Sequence, residues 1–145
     1  MSRLSFLSPD NSRFECVSPA GEFIGGAIAP GIATAAEALT ARAARLFRVD
    51  LTRPPSAIGR NTVTNIQSGM VYGYAGLVDG LVTRMRAEMD GAPRVVATGG
   101  LVGLMDGLAR TIDLVNPHLT LEGLRIACAR ARHGAQEGAP EGSAA

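Results

Sequence analysis

The sequence contains no lysine: all fourteen of its basic residues are arginine. That absence removes a P-loop, whose lysine reaches the terminal phosphates of a nucleotide, and it removes Schiff-base chemistry. Arginine-only usage with heavy alanine and glycine fits a biased genome. An excess of either charge is missing too. The net charge of +1 gives no electrostatic footprint for nucleic acid or an anionic membrane. Cysteine is scarce. Cys16 and Cys128 form no C-x-x-C pair and no metal-spaced cluster with His118 or His133, so two buried free thiols in a reducing cytoplasm are expected. No apolar run follows a basic start, which argues against a signal peptide, and nothing approaches the ~20 apolar residues of a membrane span. What is present is globular: 145 residues, 46% hydrophobic and 19% charged, enough for one domain with a real core.

Residues Met1 to Asn11 carry little pattern, and residues 1–12 are expected to be irregular. Arg13 to Val17 alternates polar with apolar residues as a half-buried strand does, Ser18-Pro19-Ala20-Gly21 is a turn signal, and Glu22 to Ile28 returns as the partner strand. After Pro30-Gly31 an Ala-rich helix is predicted from Thr34 to Leu46, with Leu39, Ala43 and Leu46 on one face. Arg53-Pro54-Pro55 is a rigid connector closed by Gly59, and Asn61 or Thr62 reads as the N-cap of the longest element, about Thr62 to Met89. Val63, Ile66, Met70, Tyr74, Leu77, Leu81 and Met85 recur there every three or four residues. Gly69, Gly73, Gly76 and Gly80 share another face. Each interior glycine costs about 1 kcal/mol relative to alanine, so a close approach must offset them: a neighbouring helix or sheet, a ligand, or a partner subunit.

The second half reads as strand and helix in alternation. Arg94 to Ala97 is a short buried strand followed by Thr98-Gly99-Gly100; Leu101 to Leu108 is a short helix or turn; Thr111 to Val115 is another strand. Thr120 caps a last helix to about Arg132, with Leu121, Leu124 and Cys128 facing inward, and residues 134–145 form a disordered tail. This alternation implies parallel pairing with helices packed on the sheet.

Ligands in open α/β sheets sit beyond the carboxyl ends of the strands, and glycines there let the backbone approach a base or ribose. Thr98-Gly99-Gly100 is therefore the first place to look, although alone it is a weak signal. Its neighbours make it strong. Gly25-Gly26-Ala27-Ile28-Ala29-Pro30-Gly31, then Ile58-Gly59-Arg60-Asn61-Thr62 with Gln67-Ser68-Gly69 and Tyr72-Gly73-Tyr74, then Val96-Ala97-Thr98-Gly99-Gly100-Leu101 occur in order. Together they resemble the C-terminal half of type III pantothenate kinase, and Asp113 to Leu124 resembles that family's closing segment. The likeness runs from about Phe14 to Arg132.

The resemblance implies a fold and an activity. The fold is α/β: the second domain of a ribonuclease H-like, actin/hexokinase-type ATPase, a mixed sheet with an N-terminal β-hairpin and flanking helices. The C-terminal kinase domain would occupy residues 13–133. The activity is transfer of the γ-phosphoryl of ATP to pantothenate, giving 4'-phosphopantothenate, the first step of coenzyme A biosynthesis. Thr98, Gly99 and Gly100 would lie against the adenosine of ATP, and Thr62 would contact pantothenate unless it only caps its helix. Mg2+ and a monovalent cation, K+ or NH4+, are implied for the complete enzyme only. Implied partners are a second copy or a chain that supplies the N-terminal kinase domain, with the helix from Thr34 and the glycine-striped helix at the family's dimer interface. The setting is cytoplasmic.

Departures from the family pattern matter as much. The first-domain Asp-Gly-Asn loop and the Gly-x-Asp-Arg segment with the catalytic Asp have no match here. If Phe14-Glu15 matches the Phe-Asp that ends the family's Asp-x-Gly-Thr-Ala phosphate loop, that loop falls at Leu7 to Asn11. Leu7 then stands where the cation-holding Asp belongs, Pro9 replaces Gly, and Asp10 replaces Thr. A carboxylate repels polyphosphate and proline removes an N–H from the cradle. Asp50, Asp79, Asp106 and Asp113 read as caps, turns or solvated surface rather than bases. Phosphoryl transfer depends on positioning, charge neutralisation and a base for the acceptor hydroxyl, so this chain alone is expected to be inactive. The alternative is a non-catalytic dimerising or nucleotide-binding fragment that associates with a full-length kinase.

Overall fold

The structure is a computed structural model that describes residues 3–6, 11–42, 48–100 and 102–137. Its strands are β1 (Arg3–Phe6), β2 (Asn11–Val17), β3 (Phe23–Pro30), β4 (Arg94–Ala97) and β5 (Leu114–Val115), and its helices are α1 (Ile32–Arg42), α2 (Thr62–Glu88) and α3 (Leu119–Glu137). The strands form one sheet in the order β3-β2-β1-β4-β5.

The hairpin follows from its turn residues. Ser18 carbonyl accepts the Gly21 N–H at 3.0 Å, Gly21 takes a φ of +89°, and β2 and β3 pair antiparallel, Arg13 opposite Ile28 and Phe14 opposite Ala27. Gly26 is required by packing, because a methyl group there would run into the Phe14 carbonyl oxygen. The irregular start expected for residues 1–12 is corrected. Arg3–Phe6 forms β1, which pairs antiparallel with β2 and parallel with β4, and β2 begins at Asn11. Four residues carry too little period to announce a strand, and this one is specified by partners far away in the chain. The proposed phosphate-loop positions 7–10 lie outside the described residues.

The core is on one face of the sheet. Phe14 and Cys16 of β2 and Val95 of β4 cluster with Val71, Ala75, Val78 and Val82 of α2. Val71, Val78 and Val82 are fully buried, each worth about 1.5–3 kcal/mol relative to exposure. The periodic stripe Met70, Tyr74, Leu77, Leu81 and Met85 is only partly buried and flanks this line, so the buried face of α2 is rotated about one residue from the expected one. Burial, with the nearby Glu88 charge, raises the Cys16 thiol above its ordinary value. α1 starts at Ile32, two residues earlier than expected, and buries that residue; Ala43 and Leu46 lie outside the described residues.

Two further expectations are corrected. The strand at Thr111 to Val115 contracts to Leu114–Val115, because Asp113 turns its carboxylate onto the Val95 N–H at 2.7 Å. The last helix runs to Glu137, past the expected boundary at Gly134, and it does not face inward. Leu121 and Leu124 are 64% and 62% exposed, and Cys128 is exposed rather than buried. The pattern Leu121-Leu124-Cys128 marks an amphipathic helix correctly; it cannot say whether this chain supplies the surface to cover it. Residues 138–145 lie outside the described residues. No helix among the described residues is long and apolar enough to cross a membrane.

Candidate functional site

β4 carries Val95, Val96 and Ala97 fully into the interior and then ends at Thr98-Gly99-Gly100. Its neighbours β1 and β5 both run parallel to it, so the turn lies at a carboxyl edge of parallel strands, where α/β sheets place ligands. Gly99 takes a φ of +114°, a conformation that only glycine adopts without strain. Its carbonyl accepts the Val102 N–H at 3.3 Å, which opens the 3-10 turn Val102–Leu104. Thr98 and Gly99 are half-buried and Gly100 is exposed. Residues 99 and 100 bring no side chain to that strand end.

Asn116 is set at the same edge, a residue that the family blocks contained without any role being read for it. Its N–H donates to the Ala97 carbonyl at 2.8 Å, its Oδ1 accepts the His118 N–H at 2.9 Å, and its Nδ2 reaches the Glu122 carboxylate at 3.3 Å. It ties the end of β5 and the first turn of α3 to the Thr98 turn. An Asn followed by Pro between a strand and a helix was the available signal.

Thr62 opens α2. Asn61, not Thr62, is the N-cap: its Oδ1 accepts the Thr64 N–H at 2.9 Å, and Thr64 Oγ1 accepts the Asn61 N–H at 3.3 Å. The capping box is complete without the Thr62 hydroxyl. Thr62 is exposed and lines a cavity of about 390 Å³ with Leu39 of α1 and Asn65, Ile66, Gly69 and Met70 of α2.

The polar residues of the Gln67-to-Tyr74 blocks hold neighbouring stretches of main chain against α2. Gln67 Nε2 donates to the Asp50 carbonyl and to Thr52 Oγ1, both at 2.9 Å. Ser68 donates to the Ala57 carbonyl, Tyr72 to the Pro54 carbonyl at 3.0 Å, and Tyr74 to the Pro30 and Gly31 carbonyls. Burial raises the Tyr74 hydroxyl above its ordinary value. Gly59 is pressed against Asn65, so a side chain there would displace the start of α2. These residues fix the connector 48–60 and the β3–α1 corner on α2, which a motif reading alone does not disclose. The cavity that Thr62 lines does not include Thr98, Gly99 or Gly100.

Two of the four aspartate carboxylates, those of Asp79 and Asp113, are engaged in structure. Burial alone would raise the Asp79 carboxyl, but the Thr111 hydroxyl and N–H, the Arg110 N–H and the Arg110 charge together hold it below the usual carboxylate range. Asp113 pairs with Arg86 at 2.7 Å and accepts the Val95 N–H. Asp50 is exposed and gives its carbonyl to Gln67. Asp106 lines a shallow hollow with Met105, Ile112 and Asp113. Among the described residues no group of three or more His, Cys, Asp or Glu side chains is arranged to hold a metal ion; Leu7, at the expected cation position, lies outside them.

The sequence from Ser12 to Arg84, covering the β2–β3 hairpin, α1, the connector and most of α2, matches the family model described as type III pantothenate kinase. The chain belongs to the type III pantothenate kinase family. Two curated type III pantothenate kinases show how close the relation is. The one from Anaeromyxobacter sp. (strain Fw109-5) is 57% identical over 113 residues, 78% of this chain and 44% of the relative. The one from Moorella thermoacetica is 58% identical with the same coverage. This member of the type III pantothenate kinase family therefore spans less than half the length of the curated relatives it matches. A crystal structure of a Baf family protein from Campylobacter jejuni superposes on 91% of this chain and 58% of its own, with a TM-score of 0.60 and 18% identity, which establishes a shared fold.

Proposed function

We propose that this chain is the reactant-recognising C-terminal half of an ATP-dependent pantothenate kinase, inactive alone and completed by the N-terminal kinase domain. The observation that carries the reading is identity of 57% to a curated type III pantothenate kinase over 78% of this chain, but over only 44% of that kinase. The strand order β3-β2-β1-β4-β5, antiparallel at β2 and parallel elsewhere beside β1 and β4, supports a ribonuclease H-like, actin/hexokinase-type second domain.

In this reading the side-chain-free edge at Gly99-Gly100 receives the adenosine of ATP with Thr98 beside it. The Thr62 hydroxyl, spared from capping by Asn61 and Thr64, binds pantothenate. Phosphoryl transfer also needs an anion cradle, Mg2+ and a base. Asp79 and Asp113 are committed to backbone and arginine partners, so those elements and the monovalent cation belong to the complete enzyme. The reaction it would perform, formation of 4'-phosphopantothenate, opens coenzyme A synthesis in the cytoplasm.

A second copy is the further partner. Gly69, Gly73 and Gly76 are exposed, and a Cβ on any of them would meet nothing within 4 Å. No element among the described residues fills the stripe at these three positions, which disfavours the neighbouring-helix explanation and favours self-association through α1 and α2. That same feature supports the alternative of a dimerising, non-catalytic fragment. Co-expressing this chain with the unmatched portion of the Anaeromyxobacter relative and assaying ATP-dependent phosphorylation of pantothenate separates the two. Turnover by the pair and none by the single chain is expected; robust turnover by this chain alone, or none by the pair, overturns the kinase-half reading.

A further inference from the structure

Sulfur gathers at the C-terminal end of α2. Cys16 of β2 is 7% exposed and belongs to the core cluster. Met85, in the last turn of α2, and Met89, at its C-cap, are four residues apart, half-buried, and packed against that cluster. All three residues line one hollow of about 390 Å³, with Leu81 and Ile24 as apolar walls. The strand side of the hollow is kept open. Cys16 pairs with Gly25, which takes a φ of +130° and where a Cβ would meet nothing within 4 Å. The position across the ladder from the thiol therefore carries no side chain to fill the space. Arg84 and Glu88, both exposed, add one charge of each sign to the lining.

We propose that Cys16, Met85 and Met89 form a three-sulfur site for a soft monovalent cation, Cu(I) or its analogue Ag(I). One thiol and two thioethers are a soft donor set, which selects Cu(I) over the hard cations that carboxylates and carbonyls hold. Charge sets the valence, because an uncompensated charge is costly to bury. The Cys16 thiolate and a monovalent cation are neutral together, and Arg84 and Glu88 cancel; a divalent ion would bring one unbalanced positive charge. On binding, the Cys16 S–H bond breaks, its proton leaves to solvent, and the sulfur donates an electron pair to the metal. Met85 and Met89 each donate a sulfur lone pair, and nothing is oxidised or reduced. The lining includes neither Thr62 nor the Thr98-Gly99-Gly100 turn, and the site stands whether or not the kinase reading does. Methionine also fills irregular gaps in apolar cores, so packing alone is the competing account.

The complete 145-residue chain is titrated with Cu(I) without oxygen, against a chromophoric Cu(I) chelator, and in parallel with Ag(I). Cys128→Ser is introduced throughout, since that exposed thiol would bind soft metal by itself. The background chain should take up one equivalent, with a thiolate-to-metal charge-transfer band, and Zn(II) in excess should not displace it. Cys16→Ala should abolish binding. Met85→Leu with Met89→Leu preserves volume, so the fold should be retained by circular dichroism. Cu(I) affinity of that double variant should fall at least about tenfold, no less than the loss of an outer-shell partner costs a metal site. No uptake by the background chain, uptake that survives Cys16→Ala, or displacement by Zn(II) overturns the proposal. So does a methionine double variant that binds within about threefold of the background, a difference of about 0.65 kcal/mol or less. Should Cys16→Ala fail to fold, the methionine pair decides alone. Turnover is not read in any arm, so failure here leaves the kinase-half reading as it stands.

Discussion

Replacing Asp79 by asparagine tests whether this carboxylate is a structural clasp or a group free for proton transfer. Its Oδ1 accepts from the Thr111 N–H at 2.9 Å and the Thr111 hydroxyl at 2.8 Å, and its Oδ2 accepts from the Arg110 N–H at 3.1 Å. Hydrogen bonds to a charged acceptor contribute roughly 1.5–3 kcal/mol each when well buried. Asp79 is only half-buried, and asparagine keeps one acceptor oxygen while turning an NH2 toward a donor. The net loss should be about 2 kcal/mol. With a urea slope of about 1.5 kcal/mol per M, the denaturation midpoint at pH 7 should fall by roughly 1.3 M. The pH dependence has a definite sign. The carboxyl titrates lower in the folded protein than its unfolded reference of about 3.9, so its stabilisation is complete above that reference and is lost as pH falls through the folded value. The gap between the native chain and the variant should therefore close under acid. A midpoint shift below about 0.3 M at pH 7, or a gap that does not narrow as the pH is lowered beneath the unfolded reference of about 3.9, would refute the clasp and return Asp79 to the list of available bases.

Gly99→Val forces a β-branched residue to a φ of +114°, a strain of about 1–3 kcal/mol, and should weaken ATP binding by the reconstituted pair; unchanged affinity in calorimetry removes Gly99 from the adenosine site. Asn61→Ala deletes the α2 cap and should cost about 1 kcal/mol in urea unfolding, whereas Thr62→Ala should leave stability nearly unchanged and raise the KM for pantothenate in the reconstituted pair. Gly73→Leu should stabilise the isolated chain by up to about 1 kcal/mol, since no atom obstructs it, while abolishing self-association in sedimentation. Retained association would place the dimer contact elsewhere than the glycine stripe.

Local chemistry made much of the fold legible. Ser18-Pro19-Ala20-Gly21 marked the hairpin, Asn61-Thr62 the start of α2, and the apolar run Val95-Val96-Ala97 a buried strand, each because a few adjacent residues dictate the backbone there. The misses share one cause. β1 exists through its pairing with β2 and β4, the buried line of α2 is set by what the sheet presents to it, and the exposure of α3 depends on tertiary packing that helical spacing alone does not encode. The pattern Leu121-Leu124-Cys128 was read correctly as a face and wrongly as a contact. For the candidate site, sequence singled out the Gly99 turn and Thr62 as candidates, but not the structural duty of Gln67, Ser68, Tyr72 and Tyr74. A hydroxyl or amide in a motif looks the same whether it grips a ligand or a main-chain carbonyl.

The position of Arg3–Phe6 in the middle of the sheet sets the order of events during assembly. The β2–β3 hairpin closes locally, but the four residues that join it to β4 must wait for a partner about ninety positions downstream, near Arg94. Closing so large a loop delays the final step. Until then β2 on one side and β4 on the other each expose an unsatisfied ladder edge, the kind of surface through which nascent chains stick to one another.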